Sequence, residues 1–187
     1  MLVLANLAVL TYRQTQRWRV NDPLADLPPV MLWAWERPED LWRLNTERAG
    51  VAFLAKTLVL RGDGAMEMLP RRQPIRIRQG SPLVAVVRIE AGEAQPPREL
   101  AEPAAAEVLK LTGSEALRAV QIDFDALESQ REFYRALLDE VAGRLPENVR
   151  LSITALASWC IHDDWIRGLP IDEAVPMLFR LGAGQDE

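Results

Sequence analysis

Three short stretches set polar residues at alternate positions along otherwise apolar runs: Arg88 and Glu90; Gln121, Asp123 and Asp125; Ser152, Thr154 and Ser158. A spacing of two places each set on one face of a strand. Two or three carboxylates gathered beside a cation can have their pKa values driven apart, as general acid and base catalysis requires. Asp123, Asp125 and Glu90 are therefore the candidate catalytic carboxylates, with Arg88 and Arg180 as the cations. Lys56 belongs to the same charge set. The competing reading is an internal ion-pair network that fixes strand register, because buried charges must find partners. Asp125 has a further structural use, since Asp125-Ala126-Leu127-Glu128 fits a capping box at a helix start. Asp123 lies inside its strand and has no such reason, which makes it the better marker of a site. On the ligand reading, Asp123→Asn abolishes binding and leaves stability nearly unchanged.

Other chemistries are poorly served. Cys160 and His162 are the only residues of their types, so a disulfide within the chain and the usual Cys/His zinc sites are excluded, and no metal is expected. A Ser158/His162/Asp163 or Asp164 triad is crowded into one short segment, where nucleophile, base and orienter cannot easily face each other. Cys160 is most simply a small buried residue. No Gly-rich phosphate fingerprint or P-loop follows any strand, so no nucleotide cofactor is expected. The net charge of −5 and pI near 5.1 argue against a nucleic-acid partner. The six tryptophans offer flat faces on which sugar rings stack. Trp35 and Trp159, near strand ends with Glu36, are candidate ligand walls. Trp42 reads as packing. The run Arg71, Arg72, Arg76, Arg78 reads as a solvated edge that blocks strand pairing.

These side chains need a frame. Apolar runs at Val30 to Glu36, Val51 to Leu60, Leu83 to Glu90, Ala119 to Asp125, Val149 to Ala157 and Val175 to Leu181 predict six strands. Between them, Pro38-Glu39-Asp40-Leu41-Trp42 looks like a helix start, Met66 to Ile77 a hairpin return or irregular insertion, and Pro96 to Lys110 a helix. Leu127 to Leu145 carries its apolar residues at helical spacing, and Ile161 to Gly168 reads as a short helix. Alternating strands and helices imply βαβ units and a parallel sheet. The fold class expected is α/β: a TIM-barrel-like parallel β/α barrel, incomplete at about six strands. Its polar strand faces would line the interior toward the strand C-termini, where barrel enzymes place their chemistry.

The chain divides into an N-terminal apolar and linker segment, 1–29, and a barrel-like domain, 30–187. Met1 to Leu10 is too short to span a bilayer. Its positive charges, Arg13, Arg17 and Arg19, follow the apolar run rather than precede it. It reads as a docked terminal segment or as the remnant of an export signal or anchor, the latter giving a weak membrane or envelope association. The compartment stays open between cell envelope, secreted and cytoplasmic.

Two resemblances follow from the residues. Val120-Gln-Ile-Asp123-Phe-Asp125 with Phe133-Tyr134-Arg-Ala-Leu137-Leu138 resembles the fourth strand and helix of chitinase-like family 18 glycoside hydrolases. Leu151 to Ala157 and Val175 to Arg180 are similar to later strands of that family. The resemblance implies a sugar ligand, with Asp123 and Asp125 at the family's two aspartates. Where the family's proton-donating glutamate would stand, this chain has Leu127. Either Glu90 or Glu36 serves as the acid, or there is no hydrolysis. The second resemblance, over most of Pro29 to Gly182, is to an uncharacterised bacterial family, domain of unknown function 3142. It is carried by Leu32-Trp-Ala-Trp-Glu36, Val84 to Glu90, Gln121 to Asp125, Ser152 to Cys160 and Asp172 to Arg180.

The functional expectation is a barrel that binds or hydrolyses a carbohydrate at its strand C-termini; the alternative is a non-catalytic binding or structural domain that has lost the acid. A complete eight-unit barrel takes about 250 residues, and this chain has 187. Either the N-terminal segment and a partner chain complete the barrel, as in an oligomer, or the barrel is open.

Overall fold

The computed structural model describes residues 24–25, 27–161 and 163–178; Met1 to Leu10, the basic residues behind them, His162 and Arg180 lie outside that set. The strands are β1 Val30–Ala34, β2 Glu39–Leu41, β3 Ala49–Leu60, β4 Met66–Pro70, β5 Ile75–Ile77, β6 Leu83–Glu90, β7 Leu117–Asp123, β8 Arg150–Leu156 and β9 Glu173–Met177. The helices are α1 Ala101–Leu109, α2 Arg131–Ala142 and α3 Ala157–Ile161. The main sheet runs β1-β3-β6-β7-β8-β9 with every neighbouring pair parallel, and β4 folds back antiparallel on β3. Six parallel strands in sequential order, with β1 and β9 at opposite edges, make a half-barrel. The expected incomplete parallel β/α barrel is the fold observed.

The helices take one face of the sheet. Ala101, Ala104, Ala105 and Val108 of α1 and Phe133, Tyr134, Leu137, Leu138 and Val141 of α2 bury against Ala85, Val87, Ile89, Val120, Ile122, Leu151, Ile153 and Ala155. The alanines of α1 let it lie close to its neighbours, while the large residues of α2 fill the space above β7 and β8. The opposite, open face begins apolar at the strand N-termini. There Ala52, Val84, Val86 and Ala119 are covered by Leu24, Leu27, Met31 and Trp35. Further along the strands the same face turns polar.

β3 does not keep one alternation. Ala55 is an extra residue in the ladder: Leu54 pairs with Val86 and Lys56 with Val87. The bulge sends Lys56 to the helix side. Its Nζ there donates to the carbonyl oxygen of Glu107, 2.9 Å, and to Glu107 Oε2, 3.1 Å. The expectation that Lys56 belongs to the charge set of Arg88 and Asp123 is thus corrected.

Of the stretch Met66 to Ile77, Met66–Pro70 is the hairpin return on β3, while Ile75–Ile77 leaves that sheet to pair with β2. The hairpin turn closes through Arg61 N–H to Ala65 O, with Gly64 at φ +84°, a conformation that suits glycine. The helix expected at Pro38 to Trp42 is instead β2, paired in parallel with β5. Asp40 faces Arg76 in register, 3.4 Å apart, and Arg76 lies over the Trp42 ring, 4.9 Å away. Long-range pairing overrides the local helix-start pattern there. The helix expected at Ile161 to Gly168 lies earlier, as α3, and Cys160 on it is exposed rather than buried.

Candidate functional site

The polar half of the open face carries two chains of hydrogen-bonded side chains that together cross four strands. Arg88 Nε donates to Glu90 Oε1 and Arg88 Nη1 to Asp123 Oδ2, each at 3.0 Å. Thr154 Oγ1 donates to Asp123 Oδ1 at 2.9 Å. Two residues lower, Gln121 Nε2 donates to Ser152 Oγ, 2.9 Å, and Ser152 Oγ to Glu173 Oε2, 2.8 Å. Ladder register produces this directly, because Arg88 pairs with Asp123, Gln121 with Ser152 and Ser152 with Glu173. The period-two pattern read from the sequence is the pattern that meets here.

Burial differs sharply along the chain of contacts. The Asp123 side chain is 5% exposed, Arg88 29% and Glu90 51%. Burial works against the Arg88 charge, but hydrogen bonding and Coulomb attraction from Glu90 and Asp123 outweigh it and hold the guanidinium above its usual pKa. Arg88 also lies over the Trp35 ring, 5.6 Å from its centroid, and Trp35 stacks on Trp33 at 5.8 Å and 21°. Trp33 keeps 42% of its surface exposed. Arg88, Trp35 and Trp33 thus form a layered stack with a free aromatic face at the β1 edge.

Of the residues the sequence nominated, Asp123, Glu90, Arg88 and Trp35 come together. Asp125 lies just past the end of β7 rather than within the strand. It stands close enough to Tyr134 that burial first, and then the charges of Asp123 and Asp125, push that phenol well above its ordinary pKa. The helical cap position expected at Asp125 falls on Leu127, whose N–H is accepted by Gln130 Oε1 at 2.9 Å. Gln130 Nε2 also donates to the carbonyls of Gly92 and Ala94, tying two strand-end loops together. Trp159 is no ligand wall: it is 4% exposed and sits edge-to-face with Trp165, centroids 5.1 Å apart. Asp163 is occupied structurally by the Trp165 N–H and the Arg131 guanidinium. Glu36 turns to the neighbouring loop, where its Oε1 accepts from the N–H groups of Arg72 and Gln73.

Sequence reasoning missed Arg71. It is no solvated edge charge. Its guanidinium donates to the backbone carbonyls of Ala34, Trp35, Arg37 and Gln73. With Glu36 bonding in the reverse direction, the two loops are latched, and the latch fixes the backbone that carries Trp35. One arginine in a basic run gives no signal for this.

No group of three or more His, Cys, Asp or Glu able to hold a metal ion occurs among the described residues. Beside Glu90 a depression of about 620 Å³ opens at the C-terminal ends of β3 and β6, lined also by Val59, Arg61, Asp63 and Gly92.

Fold and site together define an open parallel half-barrel with a polar patch and an aromatic stack on the face opposite its described helices. Residues 79–173, just over half of the chain, match the family model described as a domain of unknown function, DUF3142, and the chain belongs to that family. No curated protein and no solved structure matches it.

Proposed function

We propose that this half-barrel is a carbohydrate-binding domain that does not cleave its ligand. One observation carries the reading: the exposed face of Trp33, backed by Trp35 and Arg88. A flat aromatic surface held rigid from behind suits the apolar face of a pyranose ring, and polar groups beside it suit the hydroxyls. The likeness of the β7 region to family 18 hydrolases supports the sugar class.

Binding without hydrolysis is supported by how the carboxylates are used. Both oxygens of Asp123 already hold donors, Arg88 and Thr154. A general acid needs a carboxyl within reach of the leaving oxygen and able to keep its proton. At the position where the resemblance calls for that acid stands Leu127, 43% exposed at the start of a helical turn. The test is calorimetric titration of the protein with neutral oligosaccharides, alongside an assay for released reducing ends. Binding that weakens about tenfold in Trp33→Ala, without new reducing ends, is the expected outcome. Cleavage of any oligosaccharide, or binding indifferent to Trp33, overturns the proposal.

A further inference from the structure

We infer that the site selects its glycan by charge, with Glu90 as the selecting residue: uncharged and amino-bearing sugars are accepted and uronic acids are rejected. This rests on the carbohydrate-binding reading and adds to it the class of sugar.

An arginine at a binding face ordinarily points to an acidic ligand. Here its charge is already engaged. Arg88 bonds Asp123 on one side and Glu90 on the other. The cation that lines the depression beside Glu90, Arg61, pairs with Glu67 at 3.5 Å. In the Arg88 network and the depression with its Arg61–Glu67 pair, Arg61 and Arg88 stand against Asp63, Glu67, Glu90 and Asp123, two positive charges against four negative. Asp123 is buried, so Glu90, with half of its side chain in solvent, is the carboxylate a ligand leaving the tryptophan stack reaches first.

A second observation agrees with the charge count. Gln121, 3% exposed, has a side-chain oxygen with no hydrogen-bond partner. That leftover group is an acceptor, which calls for a ligand rich in donors such as hydroxyl or ammonium groups. A carboxylate brings only acceptors.

The experiment compares three oligosaccharides of equal length against the full chain by calorimetry: a neutral glucan, a glucosamine oligomer and a galacturonic acid oligomer. The acidic oligomer should bind about tenfold or more weakly than the glucan, because like charges meet at the rim. The glucosamine oligomer should bind at least as tightly as the glucan, and any advantage should vanish in about 1 M salt, where the Debye length is about 3 Å. Glu90→Gln should shrink the gap between acidic and neutral oligomers to about threefold or less. Equal or tighter binding of the acidic oligomer overturns the charge rule and leaves the tryptophan platform standing. A gap that Glu90→Gln does not narrow overturns the role of Glu90. Failure of all three to bind overturns the platform reading and this inference with it.

Discussion

Arg88 and Asp123 are register partners on adjacent parallel strands, and Nη1 of the guanidinium stands 3.0 Å from Oδ2 of the carboxylate. The pair is unequal. Asp123 is buried at 5% exposure and Arg88 keeps 29% of its side chain in water. Removing the arginine strands a buried charge, with Thr154 as its remaining donor among the contacts described above. Arg88→Met should therefore cost about 3–5 kcal/mol. Asp123→Asn leaves an arginine that still has Glu90 and solvent, and should cost about 2 kcal/mol. Urea unfolding of both single variants and the double variant checks this, with the double costing less than the sum. The sequence alone implied that Asp123→Asn would be nearly neutral for stability; the two hydrogen bonds on its carboxylate reverse that expectation.

Arg71 should tolerate no conservative replacement. A lysine has one ammonium where the guanidinium fork reaches four carbonyl oxygens spread over two loops. Arg71→Lys should lower stability by about 1–2 kcal/mol. It should also weaken glycan binding by loosening the backbone at Trp35. Tryptophan fluorescence quenching by iodide reads the loosening, and Arg72→Lys, one residue along, is the matched control.

Acid should weaken the fold through Glu107. Hydrogen bonds from Lys110 and then Lys56 hold its carboxyl below the ordinary value of 4.5. A carboxyl with a depressed folded pKa contributes stability above its unfolded value and loses it as pH falls through the folded one. Asp163, held below 3.8 by the Trp165 N–H and Arg131, follows the same sign further down. Unfolding free energy should be level above about pH 5 and fall steadily below about pH 4.5. Glu107→Gln should flatten the upper part of that decline, and chemical denaturation at stepped pH measures it.

Gly50 should not accept a methyl group. A Cβ there would lie 2.7 Å from the Met31 sulfur and 2.8 Å from the Pro82 carbonyl oxygen. The methionine can swing away, but the carbonyl belongs to backbone that bonds Val51 N–H. Gly50→Ala should cost about 1–3 kcal/mol. Differential scanning calorimetry should show a melting point lower by about 5 °C.

Much of the sheet is legible in the sequence because alternation is strict wherever one face meets helices and the other does not. Leu83 to Glu90 is recovered to the residue, and the polar partners on β6, β7 and β8 follow from counting by twos. What is hidden depends on contacts distant in sequence. The segment after Pro38 carries every local sign of a helix and becomes a strand because Ile75–Ile77 lies beside it. Trp159 stands at a strand end, where wall and core look alike in one dimension. Arg71 sits among arginines that do serve as surface charge, and its acceptors are backbone carbonyls, which have no letter of their own.

The extra residue at Ala55 makes β3 a sentence written in two frames. Before it, even-numbered residues point to the open face; after it, odd-numbered ones do. Drawing that alanine into the ladder as an ordinary paired residue would carry the first frame through the whole strand. Lys56 would turn away from Glu107, and Thr57 would be driven toward the space filled by the helices. One small, chemically silent residue held out of the ladder thus decides which chemistry each surface of the sheet carries beyond it, which makes Ala55 the most consequential residue on β3 that has no functional group.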